Sequence, residues 1–140
     1  MSNARSIGSN WTELPPEAVA QLIQELGLLN RPKPYLRWIK ASRGNEIDLI
    51  RIGEVRFFQA EAKYTTVVTD RREALIRRSI KQLEDELDPD CFWRIHRSTI
   101  VNVEAIESVI RDVSGYSVKI RSRPTRLAVS EPYRHLFRQM

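Results

Sequence analysis

Phe92-Trp93-Arg94-Ile95-His96-Arg97-Ser98-Thr99-Ile100-Val101-Asn102 is the stretch on which the reading of this chain turns. Phe92 alternates with Arg94 in the two-residue period of a strand. Ile95 and the pair Ile100-Val101 can anchor a core, whereas Arg97 and Ser98 leave that frame as a tight, polar, basic tip. Two readings of the tip stand open. In one, Arg97 is a surface arginine and His96 a hydrogen-bonded strut that holds the loop. In the other, Arg97 enters a DNA groove while Ser98 donates to a phosphate oxygen.

Outward from this stretch the texture is of short strands. Tyr35 to Ala41 and Glu46 to Ile52 are separated by Ser42-Arg43-Gly44-Asn45, which suits a hairpin turn. Val55 to Gln59 is a short apolar strand, and Tyr64 to Thr69 is rich in Thr and Val. Asp70-Arg71-Arg72 turns the chain toward Ala74-Leu75-Ile76. Ser79 is followed three residues later by Gln82, a capping-box pattern, and Ile80, Leu83 and Leu87 share one helical face. A short helix is therefore expected over 79–87, ended by Asp88-Pro89. Strands follow at Phe92 to Ile95, Ile106 to Arg111, Tyr116 to Arg121 and Arg126 to Val129. Ser130 is placed to cap a C-terminal helix running to about Arg138, with Pro132 tolerated in its first turn.

Upstream, Pro15 and Pro16 suit a helix start, and Val19, Leu22, Ile23 and Leu26 recur at helical spacing. Gly27 or Asn30 is positioned to end this helix, and Arg31-Pro32-Lys33-Pro34 reads as an extended linker. Residues 1–34 are thus a flexible start plus an amphipathic linker helix, and 35–140 a mainly-β domain with one internal helix and helical ends.

At 140 residues, 41% hydrophobic and 29% charged, the chain is sized for one globular domain with a short appendage. No apolar run approaches the roughly 20 residues of a membrane helix, and no basic-then-apolar signal opens the chain. The cytoplasm is the expected compartment, and the single cysteine agrees with it. The net charge is +5. Residues 1–34 balance three bases against three acids, while 111–140 hold seven bases and two acids. Arginine outnumbers lysine heavily, and its planar fork suits phosphates and guanine edges.

Catalytic and metal chemistry find little support. Two histidines and one cysteine lack the paired spacing of a zinc site, and five glycines leave no phosphate-cradling loop. Cys91 is expected to be a small buried hydrophobe. The run Glu84, Asp85, Glu86, Asp88 and Asp90 lacks the alternation and glycine of a calcium loop. No enzymatic activity, metal or cofactor is expected.

The aromatic, Arg-x-His-Arg-Ser, apolar residues, Asn and later isoleucine resemble the signature of the LytTR family of bacterial DNA-binding domains. Here these are Phe92, Arg94, His96, Arg97, Ser98, Asn102 and Ile106. The segment from Val55 to Tyr64 is similar to that family's strand, acidic loop and tyrosine element. Leu127-Ala128-Val129-Ser130 with Tyr133 is similar to its closing element. The resemblance covers roughly residues 36–138. It implies small antiparallel sheets with a short helix packed between them, and loops in place of a recognition helix. It further implies pairs of domains on direct-repeat sites in double-stranded DNA. Carried over, Lys63, Tyr64 and Thr65 face the major groove, and Arg97 with Ser98 meets the intervening minor groove or its phosphates. Ser130, Glu131 and Arg134 form the third contact, with His96 and Asn102 as loop support.

One departure stands out, because the family commonly has a basic residue where this chain has Glu131. Either Glu131 accepts from a cytosine amino group, or it turns away and Arg134, one helical turn on, reaches the backbone. Arg121, Arg123 and Arg126 are candidate phosphate contacts, the first two sharing a strand face by alternation. The family usually couples this domain to a phosphorylatable receiver, which would lie outside this chain, and the linker helix would transmit its state. The competing reading is a protein-interaction module built on the amphipathic helix and exposed strand edges.

Overall fold

The structure is a computed structural model that describes residues 15–29 and 34–138, which fall into two units divided between Pro34 and Tyr35. The first unit contains α1 (Pro16–Leu29), with Glu17 in its first turn and Leu22 and Ile23 exposed. The expected linker at 31–33 lies outside the described residues.

Among its described residues the second unit has ten strands, all paired antiparallel. β1 (Trp38–Arg43) and β2 (Glu46–Arg51) form a hairpin by themselves. β3 (Val55–Glu61), β4 (Tyr64–Thr69), β5 (Glu73–Ile76), β6 (Phe92–His96) and β7 (Thr99–Asn102) form a five-stranded sheet in the order β5-β4-β3-β7-β6. β8 (Ile106–Asp112), β9 (Gly115–Ile120) and β10 (Arg126–Val129) form a third sheet in the order β10-β9-β8. The mainly-β class with small antiparallel sheets is thus the architecture of the molecule.

The five-stranded sheet is covered on both faces, which explains its unbroken apolar runs. Neighbouring residues on a strand point to opposite sides. Phe58, Val67 and Ile100 therefore enter one core with Ile39, Ile50 and Leu83. Phe57, Val68 and Val101 enter a second core with Val118, Ile120 and Leu127. Hairpin β1–β2 and helix α2 (Ile80–Glu86) supply the first cover, and the three-stranded sheet supplies the second. The α2 capping box is formed in full: Gln82 N donates to Ser79 Oγ at 3.1 Å, and Ser79 N donates to Gln82 Oε1 at 2.9 Å.

Several expectations are corrected. Thr99–Asn102, unassigned by alternation, is β7, an inner strand paired with both β3 and β6. In the first hairpin the second strand begins at Glu46 as expected, but the first runs from Trp38 to Arg43, which tightens the turn to Gly44-Asn45 with Gly44 at φ +61°. The C-terminal segment Glu131–Phe137 is a 3₁₀ helix rather than an α-helix. Pro132 brings no N–H to its start, and Tyr133 N donates to Ser130 O three residues back, at 2.9 Å. Ser130 makes no side-chain cap bond there. Cys91 is exposed, because the chain turns at Asp88–Cys91 before entering β6 at Phe92.

Asn102 ties the sheet together. Its Nδ2 donates to the Val55 carbonyl at 2.9 Å across the start of β3, and its Oδ1 accepts from Glu104 N at 3.0 Å. Asn102→Ala strands a buried carbonyl, and urea denaturation should show a loss of about 1–3 kcal/mol. On the surface, Arg56 Nε donates to Asp70 Oδ1 at 2.9 Å and Nη2 meets Oδ2. This paired bond holds the Asp70 carboxyl below the usual carboxylate range. A lowered acid stabilises the fold above its unfolded pKa of about 3.9, and that contribution disappears as pH falls through the folded value. Asp70→Asn should therefore be slightly less stable than wild type at neutral pH, and urea titrations should show that difference shrinking as the pH falls below the ordinary carboxylate range.

Candidate nucleic-acid interface

Three loops meet at one edge of the molecule, and backbone hydrogen bonds of the β6–β7 hairpin set their spacing. The first is the β3–β4 turn, Ala62-Lys63, where Ala62 adopts φ +48°. The second is the β6–β7 turn, Arg97-Ser98, flanked by the pair His96 and Thr99. The third is Ser130 with the 3₁₀ helix behind it. Ala60 N donates to the Ser98 carbonyl at 2.8 Å, which joins the first loop to the second. Ser130 N donates to the Ile95 carbonyl at 2.9 Å, which joins the second to the third. The central hairpin therefore fixes both outer loops.

Within the first loop Lys63 is exposed and Tyr64 is 39% exposed, while Thr65 is only 2% exposed. The Thr65 hydroxyl donates to the Arg78 carbonyl at 2.6 Å, so its side chain faces inward rather than toward a groove. Glu61, the acid of this element, accepts from Thr66 Oγ1 at 2.9 Å.

At the central tip Arg97 is exposed, and its side chain makes no hydrogen bond or ion pair among the described residues. Ser98 N donates to His96 Nδ1 at 3.2 Å, and Ser98 Oγ lies 2.9 Å from the same nitrogen. A backbone N–H can only donate, so Nδ1 accepts and the imidazole proton sits on Nε2. His96 thus closes the turn from within. Arg94 does so from the side, a role the alternating pattern did not reveal. Its Nη1 donates to Glu84 Oε1 at 2.9 Å and its Nη2 to the Arg97 carbonyl at 2.9 Å. The only available signal was a base on a strand two residues before the His-Arg-Ser tip.

Glu131 is exposed at the third loop. Arg134, expected to reach outward, is half-buried with its guanidinium 5.3 Å from the Tyr116 ring centre, close against Gly115. The remaining arginines separate. β9 ends at Ile120 and Ser122 lies at φ +61°, so the strand alternation that would put Arg121 and Arg123 on one face does not extend to them. Arg121 Nε donates to the Glu104 carbonyl at 3.2 Å, and Arg123 Nη1 to the Thr69 carbonyl at 3.0 Å. Arg126 is exposed opposite Lys119. Among residues near α2, Arg78 pairs with Glu86 at 3.2 Å.

Residues 45–140 match the LytTr DNA-binding domain family. An uncharacterised response regulatory protein of Vibrio cholerae is 40% identical over 130 residues, covering 89% of this chain and 49% of that protein. The positive alginate biosynthesis regulatory protein of Pseudomonas aeruginosa is 40% identical over 78 residues, covering 56% of this chain and 31% of that one. A heme-containing, CO-sensing transcriptional regulator of Paraburkholderia xenovorans is 34% identical over 93 residues, covering 66% of this chain and 35% of that one. The chain therefore spans half or less of the length of these relatives. A solved LytTr DNA-binding domain from Bacillus cereus superposes with a TM-score of 0.67 at 24% identity, covering 73% of this chain and 94% of that one. With the family match extending over well more than half of its length, the chain belongs to the LytTr DNA-binding domain family.

Proposed function

We propose that this chain is the sequence-specific, double-stranded DNA-binding output domain of a bacterial transcription regulator. The observation that carries the reading is the exposed Arg97, without a side-chain partner among the described residues, at the centre of three loops joined through the Ser98 and Ile95 carbonyls. In this reading Lys63 and Tyr64 face a major groove, Arg97 with Ser98 lies at the next minor groove or its phosphates, and Ser130 and Glu131 approach on the far side. Thr65, Arg123 and Arg134 serve mainly as supports, because their polar or cationic groups are turned onto the protein itself. Arg126 stays on the phosphate side of the proposal, and so does Arg121, which is exposed while its Nε donates to the Glu104 carbonyl. Two copies on a direct repeat, paired on DNA, belong to the same reading.

The Vibrio relative supports a response-regulator context, since its match covers 89% of the chain and so reaches beyond the family region that begins at residue 45. A phosphorylatable receiver outside this chain, linked through α1, follows as part of the proposal. A cytoplasmic location fits that role. Among the described residues, no helix is long and apolar enough to cross a membrane.

Selection of bound duplexes from a random DNA pool, with wild type and Arg97→Ala side by side, tests the reading. Wild type should enrich a two-half-site direct repeat. Arg97→Ala should weaken that binding and lower the slope of log affinity against log salt by about 1 if the contact is to phosphate. No enrichment, with binding that disappears at moderate salt, would replace this reading with the interaction module. Glu131→Ala in the same selection decides its role: a changed base preference at one position assigns Glu131 to a cytosine, and an unchanged preference assigns it to solvent.

A further inference from the structure

We propose that Arg94 is a positioning residue that braces the DNA-contacting tip against helix α2, an inference that rests on the DNA-binding reading above. Three acceptors surround its guanidinium: Glu84 Oε1 at 2.9 Å, the Arg97 carbonyl at 2.9 Å and, more weakly, the His96 carbonyl at 3.4 Å. Two of these are the backbone oxygens of the tip itself, and the third belongs to the helix that packs under the sheet. The side chain of Arg94 is 19% exposed against 45% for Glu84, so the cation is largely covered and its donors are already engaged. Arg97, three residues on, has the opposite character: exposed and without a side-chain partner among the described residues. One arginine holds the turn and the other is presented by it.

The geometry calls for arginine specifically. Strand pairing slips by one residue between Arg94 and His96, a bulge that bends β6 just before the tip. A planar fork of five N–H donors can satisfy a carboxylate and two carbonyls at once, whereas an ammonium is a single point on a flexible stem. Glu84 completes the device by anchoring one end of the fork, and α2 is itself fixed by Ile80 and Leu83 in the core. The tip is thereby ordered before DNA arrives, so binding need not supply that ordering.

The test uses the full chain with Arg94→Met, which keeps the apolar stem and removes the fork, and the milder Glu84→Gln. Arg97→Ala and the Arg94→Met/Arg97→Ala pair complete a double-mutant cycle. The duplex is one enriched by wild type from a random pool, and thermal unfolding checks that each variant is folded. Backbone NMR relaxation of the free protein should show Arg97 and Ser98 loosened in Arg94→Met while β3 and β4 are unchanged. Duplex affinity should fall about three- to tenfold in Arg94→Met and less in Glu84→Gln. The double variant should lose clearly less than the sum of the two single losses, because much of the brace's effect passes through Arg97 at the tip. Additive losses would overturn the proposal by giving Arg94 a DNA contact of its own, and an unaltered tip in the free protein would overturn the brace. If wild type enriches no duplex, the DNA reading fails, while the relaxation measurement still decides whether Arg94 orders the tip.

Discussion

Burial on both faces of the five-stranded sheet is the constraint from which the rest of this molecule follows. Phe57 and Phe58, Val67 and Val68, Ile100 and Val101 are neighbours in sequence that enter different cores. A slip of one residue in any of these strands would exchange the two sets, so register is held from both sides at once. The consequence reaches the surface. With the strands pinned, the turns at Lys63 and Arg97 are carried at fixed positions, and the hydrogen bond from Ala60 to Ser98 sets the distance between them.

The surface chemistry shows a division of labour among arginines that charge counting alone does not reveal. Arg94, Arg123 and Arg134 lie partly covered, against Glu84, the Thr69 carbonyl and the Tyr116 ring respectively. Arg97 and Arg126 are exposed, and so is Arg121, although its Nε donates to the Glu104 carbonyl. A guanidinium engaged with carbonyls shapes the loop beside it, whereas one that makes no side-chain hydrogen bond among the described residues, as at Arg97, is free to supply long-range attraction to phosphates and short-range recognition. A net charge of +5 therefore understates how selectively the positive charge is presented.

Much of the fold was legible in the residues. The Ser79–Gln82 capping box marked α2 because both of its bonds are local, and the Thr- and Val-rich run at 64–69 marked β4. The misses also have physical causes. β7 is four residues long and buried on both faces, so it lacks the polar alternation that announces a strand. The C-terminal segment carries helical spacing, yet its backbone bonds close three residues back, Tyr133 N to Ser130 O and Arg138 N to His135 O, while Tyr133 and Phe137 pack on the second core. Cys91 was misplaced because burial statistics for cysteine say nothing about a turn that happens to face water.

By itself the sequence determined the mainly-β class, the internal helix and the His-Arg-Ser tip with its neighbouring asparagine. These depend on interactions within a few residues of one another, or on patterns that repeat along the chain. Tertiary structure alone decided which side chains face outward, since Thr65 turns to Arg78 and Arg94 to Glu84 across intervals that no local pattern spans. It also decided that three distant loops share an edge, through the amides of Ala60 and Ser130 meeting carbonyls of the central hairpin. Every residue but proline carries a backbone donor and every residue an acceptor, so which ones meet is written in the packing of the strands and not in the identity of the residues.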